Sequence, residues 1–236
     1  MAKTVLHTSQ SRGSTNTGSF LSRHTFSFGD YYNPEHIHFG ELRVINDNML
    51  APGKGLGMHP HSNMEIITLP LEGELEYKDD QNNTSVVSKG EIHVLSAGTG
   101  IFHSEMNKSK DCTVKFLQLW VVPKAQKVKP RYEQQFYETK ENELTEILSP
   151  DLDDNHLWIY QDIWMYKGKA KAGAGLDYFL KNQVKNGVYV FVIDGQLEAN
   201  EQLLNPRDGY GLWELAEVHF TAQSDCEFLV IEVPMK

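Results

Sequence analysis

The side chains best equipped for chemistry come in two short pairs, His59-Pro60-His61 and, downstream, His103-Ser104-Glu105. Both pairs lie in segments that read as β-strand. Side chains alternate along a strand, so residues i and i+2 point to the same face. At ~3.3 Å per residue their Cα atoms stand ~6.6 Å apart, close enough for two long side chains to converge on one ion. Two such pairs on facing strands give a site of three imidazoles and one carboxylate. That donor set suits a divalent transition metal such as Fe, Mn, Ni, Cu or Zn. Four protein ligands with room left for substrate make a catalytic centre rather than a structural one.

The surrounding sequence favours this reading over packing. Gly53-Lys54-Gly55-Leu56-Gly57 precedes the first pair and lets the backbone turn tightly into the strand. Ala97-Gly98-Thr99-Gly100 precedes the second and can aim a strand edge inward. The other histidines lack this context. His36-Ile37-His38 repeats the spacing but follows the irregular Asn33-Pro34-Glu35, and reads as surface. His93 lies in a strand and is expected to be a hydrogen-bonded structural residue. Lys169 to Gly175 contains a Gly-x-Gly but no strand–turn–helix context for a nucleotide. Trp158, Tyr160, Trp164 and Tyr166 alternate at strand spacing, a pattern of core packing.

The elements that must hold the two pairs are all β. From 55 to 123, short apolar or alternating runs such as Ile66-Ile67-Thr68-Leu69, Glu91-Ile92-His93-Val94-Leu95 and Phe116 to Val122 are separated by turns at Glu72-Gly73, Asp79 to Asn83 and Lys89-Gly90. Frequent turns between short strands mean a sandwich or barrel. Residues 124–157 are polar and read as a linker with one helical turn at Glu141–Leu148. Residues 158–236 return to β and echo the first half. Leu71-Glu72-Gly73-Glu74 resembles Ile193-Asp194-Gly195-Gln196, and the strand ending Val121-Val122-Pro123 resembles Ile231-Glu232-Val233-Pro234. Two copies of one barrel are expected. Constant offsets carry His59 and His61 onto Lys181 and Gln183, and His103 and Glu105 onto Ala222 and Ser224, so the second copy lacks a ligand set.

Composition excludes several functions. With 236 residues, 40% hydrophobic and 11% aromatic, the chain can form one large domain or two small ones with a proper core. A net charge of −10 without a basic run argues against nucleic acid and against an anionic membrane surface. Cys112 and Cys226 stand far apart and are expected as reduced core thiols. The first residues carry no apolar signal-peptide region and no apolar run approaches ~18 residues, so a cytoplasmic protein with no membrane partner is expected.

The motifs resemble the cupin superfamily. Its first motif, Gly-x5-His-x-His-x3-Glu, is matched by Gly53, His59, His61 and Glu65. The second begins at Gly90 and carries Gly98, His103 and Asn107, with Ser96 where proline is usual and His103 two residues late. Those departures, with Ser96-Ala97-Gly98-Thr99-Gly100-Ile101-Phe102-His103-Ser104-Glu105, resemble the pirin family of bicupins, its bacterial quercetin 2,3-dioxygenase branch above all. The likeness continues at Ser11-Arg12-Gly13, His24 to Phe28, Leu42 to Asp47 and Pro130 to Gln134. It implies an all-β bicupin of two antiparallel barrels, 1–135 with the metal site and 136–236 without ligands.

Two carboxylates compete for the ion. Glu65 lies four residues from His61, ~13 Å along an undistorted strand, and is too far without a bulge. Glu105 is two from His103. Geometry and resemblance agree on Glu105, which completes the set His59, His61, His103 and Glu105 as ligands, with Glu65 as a hydrogen-bond acceptor behind them or a structural hydrogen bond. Met58, Phe102 and Met106 are expected as pocket wall. The resemblance implies a metal-dependent dioxygenase acting on a flavonol-like substrate. On that resemblance a bound ion would supply a Lewis acid for the substrate's deprotonated 3-hydroxyl, Glu105 would double as general base, and dioxygen would add across the 2,3 bond with release of carbon monoxide. One ion is expected, iron first, with Mn, Ni, Cu, Co or Zn as alternatives. The alternative reading is a metal- or redox-sensing interaction protein, like the transcription cofactors among eukaryotic pirins. Two barrels in one chain leave no need for a dimer, so a monomer is expected.

Overall fold

The computed structural model describes residues 2–152 and 156–235. They form four sheets in two matching sets. One set pairs a seven-stranded sheet with a four-stranded sheet made of Gly55–His61, Ile101–Asn107, Glu74–Asp79 and Thr84–Ser88. The other pairs a seven-stranded sheet with Gly175–Phe179, Glu217–Ala222, Leu197–Ala199 and Gln202–Leu204. The repeat seen in the sequence is therefore architectural. The turn glycines that carry it, Gly73 and Gly195, both adopt a left-handed backbone, φ 78° and 74°, which side chains with a Cβ disfavour.

The two seven-stranded sheets pack against each other, which explains their nearly unbroken apolar strands. In Glu65–Glu72 and Val114–Val121, Ile67, Leu69, Leu117 and Leu119 face the other barrel. There they meet Ile147, Leu148, Phe191, Leu229 and Ile231 in one buried cluster. The alternate residues face the barrel interiors. The C-terminal interior is a single apolar core around Val190, Leu212, Phe220, Phe228 and Val230. The N-terminal interior holds two small apolar clusters, one around Ile66, Tyr77 and Leu95 and one around Leu50, Leu75 and Phe116. Most of the chain's buried polar side chains belong with the N-terminal set.

Three expectations change. Glu143–Ser149 is a strand, not a helical turn. It pairs antiparallel with Trp164–Ala170 and buries Ile147 and Leu148 between the barrels, a tertiary gain that outweighs the helix preference of its glutamates. Arg131–Phe136, inside the expected linker, adds to the edge of the N-terminal sheet beside Glu91–Ser96; residues 153–155 of that linker lie outside the described residues. Cys112 is exposed rather than in the core. The N-terminal strand Lys3–His7 hydrogen-bonds to Gly209–Trp213 of the C-terminal sheet. We propose that the chain divides close to residues 135 and 136, with this first strand lent to the second barrel. Among the described residues no helix is long and apolar enough to cross a membrane.

Glu65 is a fastening between the barrels. It is buried, and its carboxylate accepts hydrogen bonds from Ser96 Oγ (3.0 Å), the Tyr160 amide (3.0 Å) and the Gln161 amide (2.9 Å). Of the two roles expected for Glu65, an acceptor behind the metal ligands or a structural hydrogen bond, these contacts are the structural one, because the strand carries Glu65 to the inter-barrel seam. Glu65→Leu leaves two buried amides without an acceptor. Urea unfolding should show a loss of about 2–6 kcal/mol, at ~1–3 kcal/mol for each of the two unsatisfied groups. Divalent-metal affinity should stay within about twofold, since no metal donor is touched; a fall comparable to loss of a ligand would return Glu65 to the site.

Candidate metal centre

Gly55–His61 and Ile101–Asn107 are hydrogen-bonded neighbours in one sheet, rather than facing strands of two. Their register sets His103 opposite His59 and Ile101 opposite His61. Strand alternation then turns all three imidazoles inward. Their ring centroids lie 4.4–4.9 Å apart. Among the described residues these three form a group whose ligand atoms all fall within 4.8 Å of one another. Side-chain rotation can close that spacing onto one ion at ~2.0–2.1 Å per bond.

The donors fit a metal. The His59 Nδ1–H donates to the Gly57 carbonyl at 2.7 Å, which leaves the Nε2 lone pair free to ligate. His103 is fully buried, yet neither ring nitrogen has a hydrogen-bond partner. A buried imidazole left unsatisfied is costly unless something fills the position. Burial, then the neighbouring charge of His59, holds His61 down to about 4. Burial, with His59, His61 and His93 adding to it, takes His103 down to about 2. These two rings are neutral at pH 7, the state a ligand requires. His59 and His61 are half-buried, so access is from their side.

Glu105 shares the inward face with His103 but is not a member of that group. Its carboxylate reaches across the barrel to the opposite sheet. Gln118 Nε2 donates to both oxygens (3.0 and 2.9 Å) and Thr68 Oγ1 donates to one of them (3.3 Å). His93 Nε2 stands 4.0 Å away, beyond hydrogen-bond range. Burial pushes Glu105 up to about 7 against the pull of these two donors. His93, expected to be hydrogen-bonded, has neither ring nitrogen partnered, and burial holds it down to about 3.

Thr68, Gln118 and His93 belong to a row the sequence reading missed. Register pairs Gln134 with His93, His93 with Thr68, Thr68 with Gln118, Gln118 with Asn46 and Asn46 with His24. One polar side chain from each of six strands thus crosses the floor of the N-terminal barrel. The available signal was a lone polar residue inside each of three apolar runs: Ile67-Thr68-Leu69, Ile92-His93-Val94 and Leu117-Gln118-Leu119. In the C-terminal barrel the matching row runs Tyr210, Val190, Val230 and Tyr166. Register also corrects the offsets. Counted from Leu75 opposite Asn107 and Leu197 opposite Ala222, His103 and Glu105 correspond to Val218 and Phe220, and His59 and His61 to Tyr178 and Leu180. All four are buried and apolar in character, so the second barrel has a plug where the first has donors.

Met58, Phe102 and Met106 do not wall this site. They alternate with the inward residues and sit on the outer face, Met58 54% and Phe102 50% exposed. The aromatic neighbours are Trp120, edge-on to His61 at 4.8 Å, and Tyr77, 5.6 Å from His103.

The pH dependence of metal-free protein follows. His93 and His103 stay neutral in the fold, whereas the unfolded chain takes up their protons below about pH 6.5. Each therefore removes ~1.4 kcal/mol of stability per pH unit as pH falls from about 6.5 toward the folded values. Glu105 holds its proton in the fold between about 7 and 4.5 and offsets one of them there. His7 and His61, both held at about 4, add to the loss. Urea midpoints of chelator-treated protein should drop steadily from pH 6.5 to 5; a flat profile would contradict the neutral, buried imidazoles.

Sequence comparison places the chain. The profile described as Pirin matches residues 5–121, and that described as Quercetinase C-terminal cupin domain matches 146–233. The chain is 35% identical over 229 residues to an Escherichia coli K12 protein named quercetin 2,3-dioxygenase, covering 97% of this chain and 98% of that protein. It superposes on the crystal structure of the Escherichia coli bacterial pirin YhhW in complex with nickel(II) with a TM-score of 0.94, at 35% identity over 99% of this chain and 100% of that one. A quercetin 2,3-dioxygenase from Acinetobacter baumannii shares the fold, with a TM-score of 0.79 at 18% identity over 99% of this chain and 87% of that one. On its fold, its motifs and its full-length relatives, the chain belongs to the pirin family of bicupins.

Proposed function

We propose that this protein is a metal-dependent dioxygenase that opens the heterocyclic ring of a flavonol-like substrate, consuming dioxygen and releasing carbon monoxide. The observation that carries the reading is the pairing of three inward imidazoles with a buried carboxylate held at about 7, in one barrel only. A bare metal store needs no base, and a scaffold needs neither. His59, His61 and His103 hold one divalent transition ion, iron first. The nickel bound by the pirin relative supports a divalent metal in this family. When bound, the ion supplies a Lewis acid for the substrate's ionised 3-hydroxyl group.

The chain's own residues do the rest. A base works best when its pKa lies near the working pH, and Glu105 meets that condition through burial. Glu105 takes the 3-hydroxyl proton and, two residues from His103 on the same inward face, also serves as the fourth ligand. The opening on the His59 and His61 side is bounded by Trp120, against which Phe28 stands edge-on at 5.3 Å. Flat aromatic walls of this kind suit a planar polyphenol. We read the protein as a cytoplasmic monomer, its two large sheets covering each other within one chain.

One observation favours a second reading, a metal-sensing interaction protein. Met58, Pro60 and Phe102 form an exposed apolar strip on the outer face of the very strands that carry the histidines. Aerobic incubation of metal-loaded protein with quercetin, followed by loss of flavonol absorbance, separates the two. Turnover supports the enzyme; tight metal binding without turnover supports the sensor. In the enzyme, Glu105→Gln should lower turnover by ~10²–10⁴, the usual contribution of a general base. Full turnover by that variant would remove Glu105 from the role.

A further inference from the structure

We propose that a cleft between the two barrels is a second binding site, which takes a small phosphorylated metabolite through Lys89, Lys167, Lys169 and Arg207. The cleft holds about 510 Å³, the size of a small-molecule site, and both barrels line it. None of the four metal-site residues does. Leu71-Glu72 and Ile193-Asp194, the matching residues before the Gly73 and Gly195 turns, both belong to its wall. The strands show why it opens there. On Trp164–Ala170, Met165 is followed on the same face by Lys167 and Lys169; on the paired strand Cys226–Pro234, Ile231 and Leu229 give way to Glu227. Met165, Leu229 and Ile231 belong to the apolar cluster between the barrels. The seam thus changes from apolar to charged at one end, and charges cannot close a dry seam.

Two cations are placed there at a cost that packing does not explain. Lys167 stands opposite Leu229, where the pattern calls for an apolar residue, and is 4% exposed. Its ammonium meets Glu227 at 2.8 Å, but a buried ion pair is matched or bettered in stability by apolar side chains of the same volume. Burial pulls Lys167 below the ordinary lysine value against the attraction of Glu227, and the charges of Lys89 and Arg207 pull the same way. Arg207 is the second cation. The Asp208 amide closes a turn on the Asn205 carbonyl at 3.0 Å, which puts Pro206 second and Arg207 third, at φ 70° where glycine is usual. Backbone strain of this kind gathers at ligand sites. Arg207 Nε lies 3.2 Å from Asp47, while its Nη1 is buried with no hydrogen-bond partner. An oxyanion in the cleft supplies the missing acceptor. Four cations face three carboxylates, one of which, Glu72, is bonded to Lys115 outside the lining. Donors arriving from four side chains suit the several oxygens and near-double charge of a phosphate better than a planar, singly charged carboxylate.

The test uses full-length, nickel-loaded protein, with glycerol 3-phosphate as the probe and succinate as its carboxylate counterpart. Calorimetry at fixed ionic strength should show glycerol 3-phosphate filling one site per chain with a Kd below about 1 mM. Lys167→Met and Lys89→Gln should each weaken it by about tenfold, the equivalent of one hydrogen bond to a charged group. Lys89 is exposed, so its variant decides the matter if Lys167→Met does not fold. Lys124→Gln, outside the cleft, and His61→Ala, in the metal centre, should stay within about twofold of wild type. No saturable binding, or binding unchanged in a folded lysine variant of the cleft, overturns the proposal. Binding lost in His61→Ala assigns the anion to the metal centre and overturns it as well. Succinate held as tightly as glycerol 3-phosphate overturns the assignment to phosphate.

Discussion

The structure depends on the hydrogen-bonded register between Gly55–His61 and Ile101–Asn107. A side-chain period of two leaves no latitude: a one-residue slip of the first strand turns His59 and His61 to solvent and brings Met58 and Pro60 inside, parting them from His103. That register is set by the rest of the sheet. Gly55 lies against Met106, and a Cβ there would stand 2.3 Å from both the Glu105 carbonyl oxygen and Met106 Sδ. Asn107 Nδ2 ties the far end of its strand to the carbonyls of Leu50, Ala51 and Cys112. The glycines before the first histidine pair and the asparagine after the second thus fix which face the imidazoles present.

The two barrels show what the site costs in packing. Both were built to one plan, with matching sheets and matching left-handed turns at Gly73 and Gly195. The C-terminal one fills its interior with a single apolar core, whereas the N-terminal one splits its core to seat a polar floor, three inward imidazoles and a buried carboxylate. Buried His93 and His103 leave four ring nitrogens without partners, a cost that a purely structural barrel has no reason to bear. The inter-barrel cluster, which joins both large sheets, offsets it by packing apolar side chains from the two halves together.

Much of this was legible in the sequence. Alternation and turn residues gave the strands, the echo at Gly73 and Gly195 gave the two barrels, and the i, i+2 spacing located the three imidazoles. What escaped was set by register between distant strands, which local pattern does not carry. The floor row of Thr68, Gln118 and His93 exists only because three strands pair in one alignment. Glu65 reads as a ligand by motif yet is carried to the seam, where it meets the Tyr160 and Gln161 amides. Met58 and Phe102 are near the histidines in sequence but not in space, because their odd spacing puts them on the opposite face. The Glu141–Leu148 turn failed because burial of Ile147 and Leu148 overrode local preference.

X-ray absorption at the metal edge tests the central claim most directly, because it counts imidazoles around the ion without regard to activity. On nickel-loaded protein, the account predicts ring scattering from three histidines with nitrogen at ~2.1 Å. A spectrum of oxygen donors alone, or one with fewer than two imidazoles, would contradict it.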